Sequence, residues 1–195
     1  MTTTPAGYTY DQDLAPSPVS NQQLSELLTD VMWTDDDAAA LRRAGEILRP
    51  QVSDVLEAWY DFIGSTPHLV AVFTGADGEP DADYLQRVRG RFEQWVIDLC
   101  TRDFDEQWLA YQEEIALRHH PTKKNQTDQV DSPKSHVPMS HMLALIVPVT
   151  LTIRDFLAKS ETDTEQLDAM QQAWFKAVTV SVVLWARPYA GELFF

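Results

Sequence analysis

The sequence predicts an all-α fold, and three observations carry that prediction. Apolar residues recur at helical spacing through most of the chain, a helix-start signal precedes nearly every such run, and no segment alternates with the period of two that a half-buried strand needs. With 195 residues, the chain is long enough to bury an ordinary core in one domain without disulfides or structural metal. About eight helices are expected.

Residues 1–19 read as an N-terminal extension, because Pro5, Pro16 and Pro18 break any helix there. Ser20 and Gln23 then form a capping-box pattern, opening a short helix with Leu24, Leu27, Leu28 and Val31 on one face. Thr34 followed by Asp35, Asp36 and Asp37 starts a second helix, since a hydroxyl and first-turn carboxylates both answer its free N–H groups. Leu41, Ala44, Ile47 and Leu48 are its apolar residues. Pro50 suits the first turn of a third helix, with Val52, Val55, Leu56, Trp59 and Ile63, which Gly64-Ser65 stops. Pro67 opens a short turn through HLVAVF to Phe73, and TGADGEP is a loop by composition.

From about Asp81 to Thr101 a helix carries Leu85, Val88, Phe92, Trp95, Val96 and Leu99 along one side. The next is expected from Asp103 to His120, ended by Pro121. TKKNQTDQVDSPKSHVP is polar and proline-bearing, hence a loop. Two long helices close the chain, Met139 to Ala158 with Pro148 inside it and Asp163 to Arg187, the latter with Thr162 and Glu165 as its capping box. Residues 20–195 therefore read as a single helical domain.

Asp+Glu 30 against Lys+Arg 15 gives a net charge of −15, and a field of that sign repels phosphate backbones and anionic lipid. Nucleic acid is excluded as a partner. Cys100 is the one cysteine, so no intrachain disulfide or zinc ribbon is available, as in a chain from a reducing cytoplasm. MTTTPAGYTYDQD lacks the features of a signal peptide, and the longest apolar run, Met142 to Val149, falls well short of the roughly 20 residues a bilayer crossing needs. A cytoplasmic protein with no membrane partner is expected. Six Trp, six Tyr and eight Phe suit either a bulky core or a large flat apolar guest.

Among the five histidines, none forms a metal-binding HExxH pattern, and His136 and His141 fall on different helix faces. His119 differs by its phase. Phe104, Trp108, Tyr111 and Ile115 form one stripe of their helix, and His119 continues it one turn from the helix end. Two readings fit such an imidazole: a core residue satisfied by a backbone carbonyl, or an axial ligand to haem iron, which needs a neutral nitrogen held by an apolar wall. The opposite wall would come from Trp59, Tyr60 and Phe92, and the helix from Asp81 to Thr101 holds no histidine to act as a distal gate. Tyr60 and Trp59 are then the candidate hydrogen-bond donors to a bound gas. Arg118, Lys123 and Lys124 suit either haem propionates or a solvated helix end. Met142 and Val149 suit either the cavity or the core.

AWYDFIGSTPHLVAVF, RVRGRFEQWVIDL, YQEEIALRHHPTKKNQTD and AWFKAVTVSVVLW resemble a protoglobin, the single-domain relative of globin-coupled sensors, and the likeness runs from Gly7-Tyr8-Thr9-Tyr10 to the C-terminus. The resemblance implies a globin-like helical sandwich with an additional N-terminal helix and extension. It implies haem b bound through His119, with Trp59, Tyr60 and Phe92 on the distal side and Phe73 wedged against the macrocycle. O2, CO and NO are the implied ligands. Ala71-Val72 and Ser140-His141 replace bulkier residues of the family, so a roomier pocket is expected. The apolar stretch Ala177 to Ala186, together with the resemblance, implies a homodimer through the last two helices. Other readings are a haem enzyme, either an NO dioxygenase or peroxidase-like, and a gas sensor acting through a separate partner. Against the peroxidase reading, which wants a positioned acid or base beside the peroxide, the distal helix offers only Arg87, Arg89 and Arg91, of which Arg89 is nearest in phase to Phe92, so efficient peroxidase chemistry is disfavoured.

Overall fold

The computed structural model describes residues 4–195, apart from the side chain of Glu192, and among them eight α-helices and no strand occur. The helices are α1 (Asn21–Asp30), α2 (Asp35–Leu48), α3 (Val52–Gly64), α4 (Pro67–Val70), α5 (Ala82–Thr101), α6 (Glu106–His119), α7 (Met139–Leu157) and α8 (Thr164–Ala190). Three single 3-10 turns and one isolated bridge, Thr74 to Pro80, complete the regular structure.

Capping chemistry sets the starts. The Ser20–Gln23 and Thr34–Asp37 boxes both form. Two later starts, those of α6 and α8, shift from the sequence reading because an aspartate one or two residues further along captures the free N–H groups. Asp105, not Asp103, accepts from Trp108 N at 2.8 Å, so α6 begins later than expected. Asp163, not Thr162, caps α8 by accepting from the amides of Glu165 and Gln166. At its far end α8 continues past Arg187 through Pro188.

Long α8 lies against α2, α6 and α7, and α5 packs on α2 and α3. Gly45 makes the α2–α5 crossing close, since a Cβ there would stand 2.5 Å from the Cys100 Cβ. Ala177, Val178, Val182 and Trp185 are buried in this core, and Val180, Ser181 and Leu184 between them are buried as well, so the apolar C-terminal stretch is covered by its own domain. The uncovered apolar face lies on α7, where Leu143, Val147 and Leu151 are 42%, 58% and 63% exposed. Among the described residues α7 is also the one helix long and apolar enough to cross a membrane, because Thr150 and Thr152 interrupt the run of apolar residues without making the helix polar. Its opposite face, with Met142, Ile153 and Leu157, is buried in the core.

The extension is irregular, as expected, but it is not loose; its residues 1–3 lie outside the described residues. Tyr8, Tyr10 and Val19 are buried in a second core with Leu24, Trp108, Leu109, Tyr111, Val180 and Leu184. Gly7 turns the chain there at φ +75°, and its carbonyl accepts from Arg118 Nη1 at 2.8 Å.

An ion pair ties α2 to α8. Asp37 closes its capping box through the Thr34 amide at 2.8 Å and also accepts from Lys176 Nζ at 2.9 and 2.8 Å. Burial pushes its carboxyl up, but Lys176 and Thr34 outweigh that and hold it below the ordinary value. A depressed carboxylate stabilises the fold above the unfolded value of about 3.9 and ceases to do so as pH falls through the folded value. Asp37→Ala should therefore cost about 2 kcal/mol at neutral pH by losing a cap and a charge-assisted bond. Urea titrations should show that difference shrinking as pH falls below about 3.9; a pH-independent difference would mean that the charge plays no part.

Candidate functional site

Helices α3, α5, α6, α7 and α8 enclose a cavity of about 240 Å³, floored by the 3-10 turn Ala71–Phe73 and the loop after α6. All eight residues singled out from the sequence, Trp59, Tyr60, Phe73, Phe92, Arg118, His119, Met142 and Val149, stand in its wall.

His119 is the last residue of α6, where the chain leaves the helix before Pro121. Its Nδ1 lies 2.8 Å from the Ile115 carbonyl, one turn back. A carbonyl only accepts, so Nδ1 carries the proton and the neutral ring keeps its lone pair on Nε2. No hydrogen bond engages Nε2 among the described residues. The Trp185 indole stacks on the ring at 5.4 Å and 15°, and Gln112 Oε1 fixes that indole by accepting from its Nε1 at 2.8 Å. Burial pushes the His119 pKa down, and Lys124 and Arg118 push the same way, against the Ile115 carbonyl. The imidazole is therefore held neutral, oriented and with one nitrogen free. The return of the loop is pinned to the same place, Val137 N donating to the His119 carbonyl at 2.8 Å.

The two distal donor candidates part company. Trp59 Nε1 donates to Thr152 Oγ1 at 2.5 Å, which in turn donates to the Pro148 carbonyl at 2.7 Å, so the indole is committed to α7. Tyr60 lines the cavity, and its hydroxyl has no hydrogen-bond partner among the described residues. Burial pushes its pKa well up, so it remains a protonated donor.

One end of the cavity is cationic. Arg118 is held by Glu114, the Gly7 carbonyl and Thr9 Oγ1, and Arg91 by Asp128 and the Ala6 carbonyl. Lys124 Nζ sits among Val72 O, Tyr84 Oη and Asn125 Oδ1 at 2.7–3.0 Å, its pKa pushed down to about 8 by burial against the opposing pull of Asp128. Lys123 instead pairs with Glu114 at 2.6 Å and is not in the cavity wall. Of the arginines on α5, Arg91 faces the cavity and Arg89 does not, because Arg89 reaches back to the Ser53 carbonyl at 3.0 Å.

Of the four positions expected to widen the pocket, Val72 and His141 line it, while Ala71 and Ser140 do not. Tyr84 and Trp185 are wall residues that the sequence did not place in the site, whereas Lys124, also in the wall, is one of the cations it offered for the propionates. Helix phase would have found Tyr84, which lies one turn before Val88 and two before Phe92's neighbour Arg91 on the cavity side of α5.

An apolar cavity with an imidazole of free Nε2 in one wall and three cations at one end matches a flat, largely apolar guest that carries carboxylates and needs an axial nitrogen. The residues present thus fit a haem. A helical sandwich built around such a pocket defines a protein of the globin class. A model of the protoglobin family matches residues 20–194, and the chain belongs to that family. Membership points to a globin-like haem protein that binds gases. No curated protein matches the sequence.

Proposed function

We propose that the chain is a haem b globin that binds O2, CO and NO reversibly at ferrous iron, with His119 as the proximal ligand. Residues 20–195 form its one haem domain and residues 1–19 its N-terminal extension. The observation that carries this reading is the neutral, oriented imidazole with a free Nε2 in the wall of the cavity. Ferrous haem supplies the iron to which the gas binds; the chain supplies access, orientation and polarity. Arg118, with Arg91, receives the propionates by charge-assisted hydrogen bonds, and Lys124, whose donors are taken, adds only its positive charge at that end of the cavity. Trp59, Phe73, Phe92, Met142 and Val149 exclude water from the binding face, which keeps the ferrous state from being oxidised. Tyr60 donates a hydrogen bond to a bound gas.

Tyr60→Phe tests that last role. A net hydrogen bond of about 1.4 kcal/mol corresponds to about tenfold faster O2 dissociation, with CO, a poor acceptor, little changed. Flash photolysis and stopped-flow mixing read both rates; equal effects on the two gases would remove the hydrogen bond from Tyr60.

We propose further that the protein is a cytoplasmic homodimer through the last two helices. Leu143, Val147 and Leu151 of α7 and Phe175 of α8, which is 49% exposed, form the face that a second copy covers. A solution mass of one chain at every concentration would overturn the dimer.

A further inference from the structure

Three tyrosines run outward from the cavity into the extension. Tyr111 of α6 stands in the cavity wall, and its ring meets Tyr8 at 5.4 Å and Tyr10 at 5.1 Å, each edge-on at 63°. All three rings are buried. Only one of the three phenols has a hydrogen-bond partner among the described residues, and that partner is a carboxylate: Tyr8 Oη donates to Asp98 Oδ2 at 2.6 Å. The other Asp98 oxygen accepts from Gln94 Nε2 at 3.0 Å and from Arg102 Nε at 3.4 Å, so the carboxylate is fixed in place.

A buried phenol bonded to a buried carboxylate is more than a latch for the extension. A tyrosine gives up an electron readily only when its phenol proton leaves at the same moment, because the oxidised phenol is a very strong acid. Tyr8 has a base at hydrogen-bond distance, and it touches the ring that borders the cavity. Tyr111 and Tyr10 have the ring contacts without the base.

We propose that Tyr8 is a redox-active tyrosine, reached from the cavity through Tyr111, with Asp98 Oδ2 as its proton acceptor. The inference rests on the haem reading above, and the oxidant is hydrogen peroxide meeting the ferrous protein. The peroxide O–O bond breaks as it takes up two electrons, one from the iron, which becomes ferric, and one from Tyr8 by way of Tyr111. Two hydroxide ions form, the Tyr8 phenol proton passes to Asp98, and Tyr8 is left as a neutral radical. With iron as the sole donor the same cleavage yields one hydroxide and one hydroxyl radical, so the second electron spares the pocket that oxidant.

The test is stoichiometric hydrogen peroxide added to the reduced, haem-loaded protein, followed by freeze-quench electron paramagnetic resonance and, in parallel, a hydroxyl-radical spin trap. The Soret band of the ferrous CO form is recorded first for every sample. The wild type is expected to give a tyrosyl signal. Tyr8→Phe and Asp98→Asn are expected to lose it and to raise the spin-trap adduct, and Tyr111→Phe to lose it while Tyr8 and Asp98 are intact. A full Soret band without a tyrosyl signal in the wild type, or a signal that survives in Tyr8→Phe, overturns the proposal alone. A wild type that forms no Soret band overturns the haem reading and this inference with it. Should Asp98→Asn fail to fold, the Tyr8→Phe and Tyr111→Phe results decide.

Discussion

If His119 holds the haem iron as proposed, replacing it by Ala is expected to abolish the imidazole-ligated ferrous spectrum of the haem-loaded protein. The expectation follows from how little else in the pocket can take the role. Tyr60 is kept protonated by burial, Cys100 is packed against α2 with its thiol pushed up to about 12, and Lys124 is surrounded by three oxygen acceptors. His141 also lines the cavity with its Nδ1 buried and without a partner among the described residues, its ring packed on His68 at 5.1 Å, so it is the alternative ligand that the substitution must tell apart from His119. The substitution leaves a ring-sized space beside Trp185, so added imidazole should bind there and restore the spectrum. Absorption spectra of the variant with and without imidazole make the check. A ferrous spectrum unchanged by the substitution would assign the iron to another residue.

Why His119 could be read from sequence while its surroundings could not is a matter of range. Its stripe with Tyr111 and Ile115 depends on one helix alone, and helical phase is local. The Trp185 stacking and the Val137 amide on the His119 carbonyl join residues far apart in the chain, and no periodicity encodes which helix meets which. The same limit explains the extension. Pro5, Pro16 and Pro18 forbid a helix there but leave open whether the segment packs, and Tyr8 is buried because a carboxylate on α5 receives its hydroxyl. Helix starts slipped where two cap-forming residues stood close together, as Thr162 and Asp163 do; Asp163 wins by reaching two amides at once. The apolar stretch of α8 that suggested a partner is buried in its own domain, and the open apolar face lies on α7. Both helices are strongly apolar, and burial is decided by the neighbours each one meets.

Trp174→Ala is expected to destabilise the protein by about 3–5 kcal/mol, a large share of the roughly 5–15 kcal/mol that holds a domain folded. Trp174 is completely buried, and its ring lies 6.3 Å from Trp59 and 6.1 Å from Trp95, the two indoles that form the inner wall of the cavity. Its Nε1 donates to the Val149 carbonyl at 3.3 Å, on the helix that Pro148 interrupts, where Pro148 lacks the amide proton that a helical residue would donate. Truncation therefore removes packing on two sides and a bond to α7 at its weakest turn. For a chain of this size the loss lowers the melting temperature by on the order of 10 °C. Trp174→Phe keeps a ring between Trp59 and Trp95 and should cost only about 1–2 kcal/mol. Urea unfolding of the three proteins gives the energies. Below the transition Trp174→Ala should still show the ferrous spectrum of the wild type, because the His119 imidazole is positioned by Ile115 and Trp185 and not by Trp174. A variant that lost the spectrum while keeping its stability would place Trp174 in the site and not behind it.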